Sequence, residues 1–186
     1  MSIVPGVANG GGLRFAGAMR RALACLILPL VAATPAMARD SLGIFESWGA
    51  FRDPAAGQGE PRCYAIAQPL VRRGRATQGF AAVGNWPRRR VRGQVHFRLS
   101  RARAADAPVQ LSVGERRFTL VAGQVDAWAA DPRADAQIIA AMRSASSMSV
   151  SSVGANGRAF ADSYALRGAA TAIDAAALGC ARLRQG

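Results

Sequence analysis

The chain has 186 residues and a formal charge of +13, from 24 basic and 11 acidic residues, with one histidine and three cysteines. That length suits one domain and is short for two, and one histidine flanked by arginines with cysteines far apart in sequence does not make a structural zinc site. Every basic residue is Arg and none is Lys. A bias this uniform is compositional, because a binding site selects guanidinium only where its fork geometry matters.

Met19 is followed by Arg20 and Arg21, an apolar run from Ala22 to Ala33, and Ala36-Met37-Ala38. A positive start, a short apolar centre and a small-x-small end make up a secretory signal peptide, here residues 19–38. The apolar run falls well short of the roughly 20 residues that span a bilayer. Residues 1–18 are glycine-rich and precede a complete signal; they are read as a mis-assigned start or a disordered extension. Residues 39–186 remain as one exported domain with no transmembrane segment. Cys25 leaves with the signal. Cys63 and Cys180 form an even pair in an exported chain, so a disulfide is expected, with two buried free thiols as the alternative.

Ile44 to Phe51, "IFESWGAF", reads as a first strand, and Arg52 to Pro61 as a Pro- and Gly-rich loop. Cys63 to Gln68 is a second strand. Val71 to Pro87 reads as irregular or edge structure because of its glycines. From Arg90 to Ser100 apolar and polar residues alternate: Val91, Gly93, Val95, Phe97 and Leu99 against Arg90, Arg92, Gln94, His96, Arg98 and Ser100. That period places one face on the core and the other in water. Short strands follow at Val109–Val113, Arg117–Val121 and Gln124–Trp128. Asp131 before Pro132 is an N-cap with Pro at the first helical position, opening a helix over 132–145. Ser146–Val153 and Arg158–Leu166 flank a "GANG" hairpin turn, and Ala169–Leu178 is a second helix. The fold class is mainly β: a single β-sandwich or flattened barrel of about eight strands, with one or two short edge helices.

No catalytic device is visible. There is no GxSxG elbow, no phosphate-binding glycine loop and no cofactor motif, so no cofactor and no metal are expected. His96 sits between arginines and reads as a solvated strand residue. An envelope hydrolase using two of the acids as a carboxylate pair is the alternative, since folding can bring any two together. The strongest feature is charge. Arg72, Arg73, Arg75, Arg88, Arg89, Arg90, Arg92, Arg98, Arg101 and Arg103 occur with no acid among them, a cluster that attracts polyanions. Arg88, Arg89, Arg90, Arg92, His96, Arg98 and Arg101 are the candidate anion-binding residues. Anionic lipid and lipopolysaccharide are the anions an exported protein meets, and an envelope or host protein is the other partner class. A charged edge strand that merely keeps the chain soluble is the plainer account. A nucleic-acid module, with Trp86 and His96 stacking bases, requires the signal reading to be wrong.

"ESWGAF" around Trp48, "RCYAIAQP" around Cys63 and the tail from Met142 to Asp174 resemble, in that order, the invasion-associated locus B family of small exported Gram-negative proteins. The resemblance implies a mainly-β periplasmic or surface protein, linked in pathogens to host-cell entry and without known chemistry. Two positions depart from the family pattern. Phe51 stands where a cysteine is expected shortly after the first Trp, so Cys63 needs a partner other than the local one. Ala169 stands where an aromatic follows the late glycine.

Export makes the first testable expectation. Intact mass of the protein recovered from the periplasm should begin at Arg39; an uncleaved cytoplasmic product would refute the signal reading.

Overall fold

The computed structural model describes residues 39–55, 59–70 and 79–181, so residues 1–18, the expected signal peptide over 19–38, and Arg72, Arg73 and Arg75 lie outside the described residues. Ten strands form one antiparallel sheet. They are β1 (Asp40–Phe45), β2 (Trp48–Ala55), β3 (Glu60–Ala67), β4 (Phe80–Trp86), β5 (Val91–Arg98), β6 (Val109–Val113), β7 (Arg116–Ala122), β8 (Asp126–Trp128), β9 (Ser147–Val153) and β10 (Ala159–Ala165). Their order is β1-β2-β3-β4-β5-β8-β7-β6-β9-β10. The sheet folds over on itself without closing into a barrel: Phe97 on β5 meets Tyr164 on β10 with ring centroids 6.2 Å apart. Between the folded halves lies a core that includes Trp48, Val83, Val95, Phe97, Leu111, Val150 and Tyr164.

Two of the ten strands are additional to the expected eight. The segment expected as one strand is a hairpin, because Glu46 adopts a left-handed φ of 51° and turns the chain so that Phe45 pairs with Trp48. Residues 80–86 of the supposedly irregular segment are β4, hydrogen-bonded to β3 and β5. Its glycine is compatible with a strand because the Trp86 ring lies over Gly84, where an added Cβ would stand 2.5 Å from the ring.

The alternation in β5 holds where it matters most. Val95, Phe97 and Leu99 are 1%, 1% and 3% exposed. It breaks near the strand's start. Gly84 and Trp86 lie two apart on β4, yet their partners Gln94 and Val91 lie three apart on β5, with Gly93 at a φ of 67°. This is a bulge: one extra residue, accommodated by a glycine in the left-handed region. Arg92 therefore leaves the face that carries His96 and Arg98. Nor is β5 an edge strand, since it pairs with β8 as well as β4.

Helix α1 (Pro132–Ser144) begins at Asp131, whose carboxylate accepts the Ala134 N–H at 2.8 Å. The three-residue β8 reaches only His96 to Arg98, and α1 packs against β5. There the buried Asp135 accepts the Val95 N–H at 2.7 Å, supplying a partner for a strand donor that would otherwise be buried and unpaired. Helix α2 (Ala169–Ala181) packs on β1, β2, β3 and β4.

Three contacts fasten the two ends of the domain together. The Trp48 indole donates to the Ala165 carbonyl at 2.9 Å. Gly168, with a φ of 82°, passes so close to the Phe45 carbonyl that a Cβ would collide with it. Cys63 on β3 and Cys180 near the end of α2, 117 positions apart, are joined by the disulfide. Replacing both cysteines with Ser should lower unfolding stability by up to about 4–5 kcal/mol, the chain-entropy figure for so long a loop. Phe97→Asp should prevent folding, because it buries an unpaired charge, whereas Arg92→Ser should stay within about 0.5 kcal/mol. Denaturant unfolding of the three proteins checks all of this, and comparable losses would overturn the assignment of faces.

Candidate functional site: a cationic groove beside the disulfide

The β4–β5 turn runs Pro87-Arg88-Arg89-Arg90, with the Arg89 and Arg90 N–H groups donating to Trp86 and Pro87 carbonyls at 3.2 Å each. Arg90 is held at a φ of 57°. A non-glycine residue in that region carries a backbone cost of about 1 kcal/mol or more. Across from the turn stands the last part of α2. Between them is a cavity of about 1100 Å³ with Arg88, Arg90 and Arg92 on its rim and Val91, Leu178 and Cys180 among its lining residues. Pro54, Pro61 and Pro87 stiffen its walls. Leu178 is 68% exposed, an apolar side chain left in water directly beside the arginines.

A second cavity of about 380 Å³ continues between α1 and α2, lined mainly by Val83, Ile139, Ala140, Ile173 and Ala177. Arg92, Asn85 and Ala177 border both cavities. Asn85 is 8% exposed; its amide oxygen accepts the Gly93 N–H at 3.1 Å, while its NH₂ has a long 3.5 Å contact to the Cys63 carbonyl. At the slot's margin Arg143 grips Asp174 at 2.6 Å and 3.1 Å. That fork holds the Asp174 carboxyl below its ordinary range and raises Arg143.

The remaining candidate residues are placed differently. Arg88 donates to the Gly59 carbonyl at 3.4 Å. Arg89 is committed to Glu60 at 2.6 Å. His96 and Arg98 both engage Asp126, at 2.9 Å and 2.8 Å, and the His96 ring stacks on Trp128 with centroids 5.1 Å apart. His96 is thus a part-buried network residue, not a freely solvated one. Arg101 lies over the Phe160 ring at 5.3 Å. Arg103 donates to the carbonyls of Ala104, Ala105, Ala107, Ala122 and Gly123, pinning the crossover from β5 to β6. The structure therefore brings together Arg88, Arg90 and Arg92 and leaves His96, Arg98 and Arg101 outside the groove.

All eleven side-chain carboxylates fall within the described residues. None of them lies within 4.0 Å of Arg88, Arg90 or Arg92 among the ion pairs there. Asn85, Ala177 and Leu178 were not singled out from sequence. The parity of Ala81, Val83 and Asn85 along β4 carries a signal for the first, an inward-facing polar residue on a buried strand. Nothing local marks the other two.

No protein-family model matches the chain, and no curated protein matches it in sequence. Among solved structures, the crystal structure of invasion associated protein B from Bartonella henselae is similar, with a TM-score of 0.52 and 15% identity, covering 79% of this chain and 99% of that one. At that identity the likeness establishes the fold. It is the fold that the motif resemblance around Trp48, Cys63 and the C-terminal tail implied.

Asp135 fixes α1, and with it one wall of the slot. Burial raises its pKa, partly opposed by the Val95 N–H and reinforced by Asp131. The folded protein therefore holds this proton more tightly than the unfolded chain. The resulting stability is fully present below the unfolded pKa of about 3.9 and is lost as pH rises through the raised folded value. Asp135→Asn keeps an acceptor for Val95 and removes the titration. The stability of the natural protein minus that of Asp135→Asn should fall as pH rises from about 3.5 towards neutrality. A difference that rose with pH would contradict the assignment.

Proposed function

We propose that the protein is exported to the cell envelope, with residues 1–38 removed, and acts there by binding anionic groups through Arg88, Arg90 and Arg92, without enzymatic activity. The observation that carries this reading is the convergence of three guanidinium groups, none ion-paired to a described carboxylate, on the rim of one apolar-walled groove. Arg90 adds to it. Its left-handed backbone is a place where glycine sits at no steric cost, so an arginine there is explained by its side chain rather than by the turn. The disulfide suits an oxidising compartment, and among the described residues no helix is long and apolar enough to cross a membrane.

Neither alternative draws equal support. The two cavities hold one carboxylate between them, Asp174, which is engaged by Arg143; a hydrolytic pair needs two facing a substrate. The rings offered for base stacking are each occupied on one face, Trp86 by Gly84 and His96 by Trp128.

Binding of the purified protein to vesicles containing phosphatidylglycerol tests the proposal. Arg90→Gly and Arg92→Ser should each weaken binding by about fivefold, the effect of roughly 1 kcal/mol per arginine near an anionic surface. Arg98→Ser should leave it unchanged, and added salt should weaken it throughout. Arg90→Gly should also keep or slightly raise the unfolding temperature, since it relieves the backbone cost. Equal binding by all these proteins would leave the arginines as solubilising charge.

A further inference from the structure

Resting on that reading, we infer that the groove takes an amphiphile: a phosphate-bearing head group at Arg88, Arg90 and Arg92, and one apolar chain that runs past Arg92 into the slot between α1 and α2. Guanidinium matches phosphate in charge and in fork geometry, and no described acid competes for these three. A free anion, however, has no use for what lies beyond them. The groove walls include Val91, Leu178 and three prolines, and most of the slot is apolar, with Val83, Ile139, Ala140, Ile173 and Ala177 in its lining beside the mutually paired Arg143 and Asp174. The two cavities, about 1100 Å³ and about 380 Å³, share Asn85, Arg92 and Ala177 along their border. Cavities of this order hold small ligands, with apolar walls and a few polar groups that fix orientation. Asn85 is such a group. It is buried at the junction, and its weakly held NH₂ stands where a head-group oxygen would meet it. Arg92 reaches this junction only because of the bulge at Gly93, which takes it off the face of His96 and Arg98.

The same phosphate chemistry is available from a lipid head group or from free phosphate, and chain dependence separates them. Calorimetric titration of the full exported protein with dodecyl phosphate below its micellar concentration, with inorganic phosphate and with dodecyl maltoside supplies the three arms. Dodecyl phosphate should bind at least about tenfold more tightly than inorganic phosphate, a modest return for burying several methylenes, and dodecyl maltoside should not bind measurably. Ala177 is exposed at the junction of the cavities, so Ala177→Phe fills the passage without entering the core. It should reduce dodecyl phosphate binding to the level of inorganic phosphate while leaving the latter unchanged. Arg90→Gly with Arg92→Ser should weaken both phosphates. Arginine-dependent binding of the two phosphates with equal affinity would overturn the amphiphile and leave the anion-binding reading standing. Binding of dodecyl maltoside as tight as that of dodecyl phosphate would overturn the head-group assignment, and no binding of any probe would overturn both readings.

Discussion

The position of α2 on the sheet depends on the bridge between Cys63 and Cys180. The helix buries Ala169, Ala172, Ile173 and Ala176 as well as Cys180, and alanines bring little apolar area out of water. Hydrophobic stabilisation scales with that area at roughly 25 cal/mol per Å², so such a helix docks weakly for its length. Its exposed ion pair, Arg143 to Asp174, adds little, because solvent screens it. What small side chains give instead is close approach, and close approach lets a disulfide join the helix directly to β3. At the other end of α2, Gly168 sits against the Phe45 carbonyl, where no side chain fits. The helix is held at its two ends more than along its face.

That arrangement has a consequence for the groove. Leu178 and Ala181 form its wall and lie within two residues of the bridge. The opposite wall is the β4–β5 turn, whose strand β4 pairs directly with β3: Asn85 lies opposite Cys63 in register. Both walls are thus referred to one residue, Cys63, with only a hydrogen-bonded strand pair and a covalent bond between them. A site on rigid elements holds its geometry better than one on free loops. The three prolines around the cavity work in the same direction. The second slot is held differently, by Asp135 on the β5 backbone and by the fork on Asp174, both polar contacts that respond to pH.

Much of this was legible in the chain because it is written locally. The β5 alternation from Val95 to Leu99, the Asp131-Pro132 helix start and the Gly154 to Gly157 turn each rest on neighbours in sequence, and each stands in the structure; the cysteine pair rests on number and compartment instead, and it too is bridged. Three features were not legible. The Glu46-Ser47 hairpin uses neither Gly nor Asn at its left-handed position, so it lacks the usual turn signature. Strand β4 carries a glycine that reads as a breaker until the Trp86 ring is seen to cover it. The bulge at Gly93 changes the face of Arg92 by one residue of register, which period-two reasoning has no means to detect. The candidate site inherits that last error. From the sequence, Arg92, His96 and Arg98 share a face; in the structure they divide between a groove and an Asp126 network.

Charge has to be judged against the same background. With 24 arginines and 11 acids, most guanidinium groups must go without a carboxylate, so an unpaired arginine is by itself uninformative. The acids, by contrast, are nearly all spoken for. Asp40, Glu46, Asp53, Glu60, Asp126 and Asp174 pair with basic side chains, and Asp131, Asp135 and Asp162 accept backbone N–H groups. Arginines elsewhere find substitutes, Arg101 on an aromatic face and Arg103 on a ring of carbonyls. The β4–β5 turn differs in kind because three cationic side chains converge on one apolar-walled space, and because one of them sits on a backbone conformation that costs energy to hold. Composition explains why arginine is abundant there. It does not explain why a left-handed turn position carries a long cationic side chain lining a cavity, and that mismatch between backbone and side chain sets this end of the domain apart from the rest.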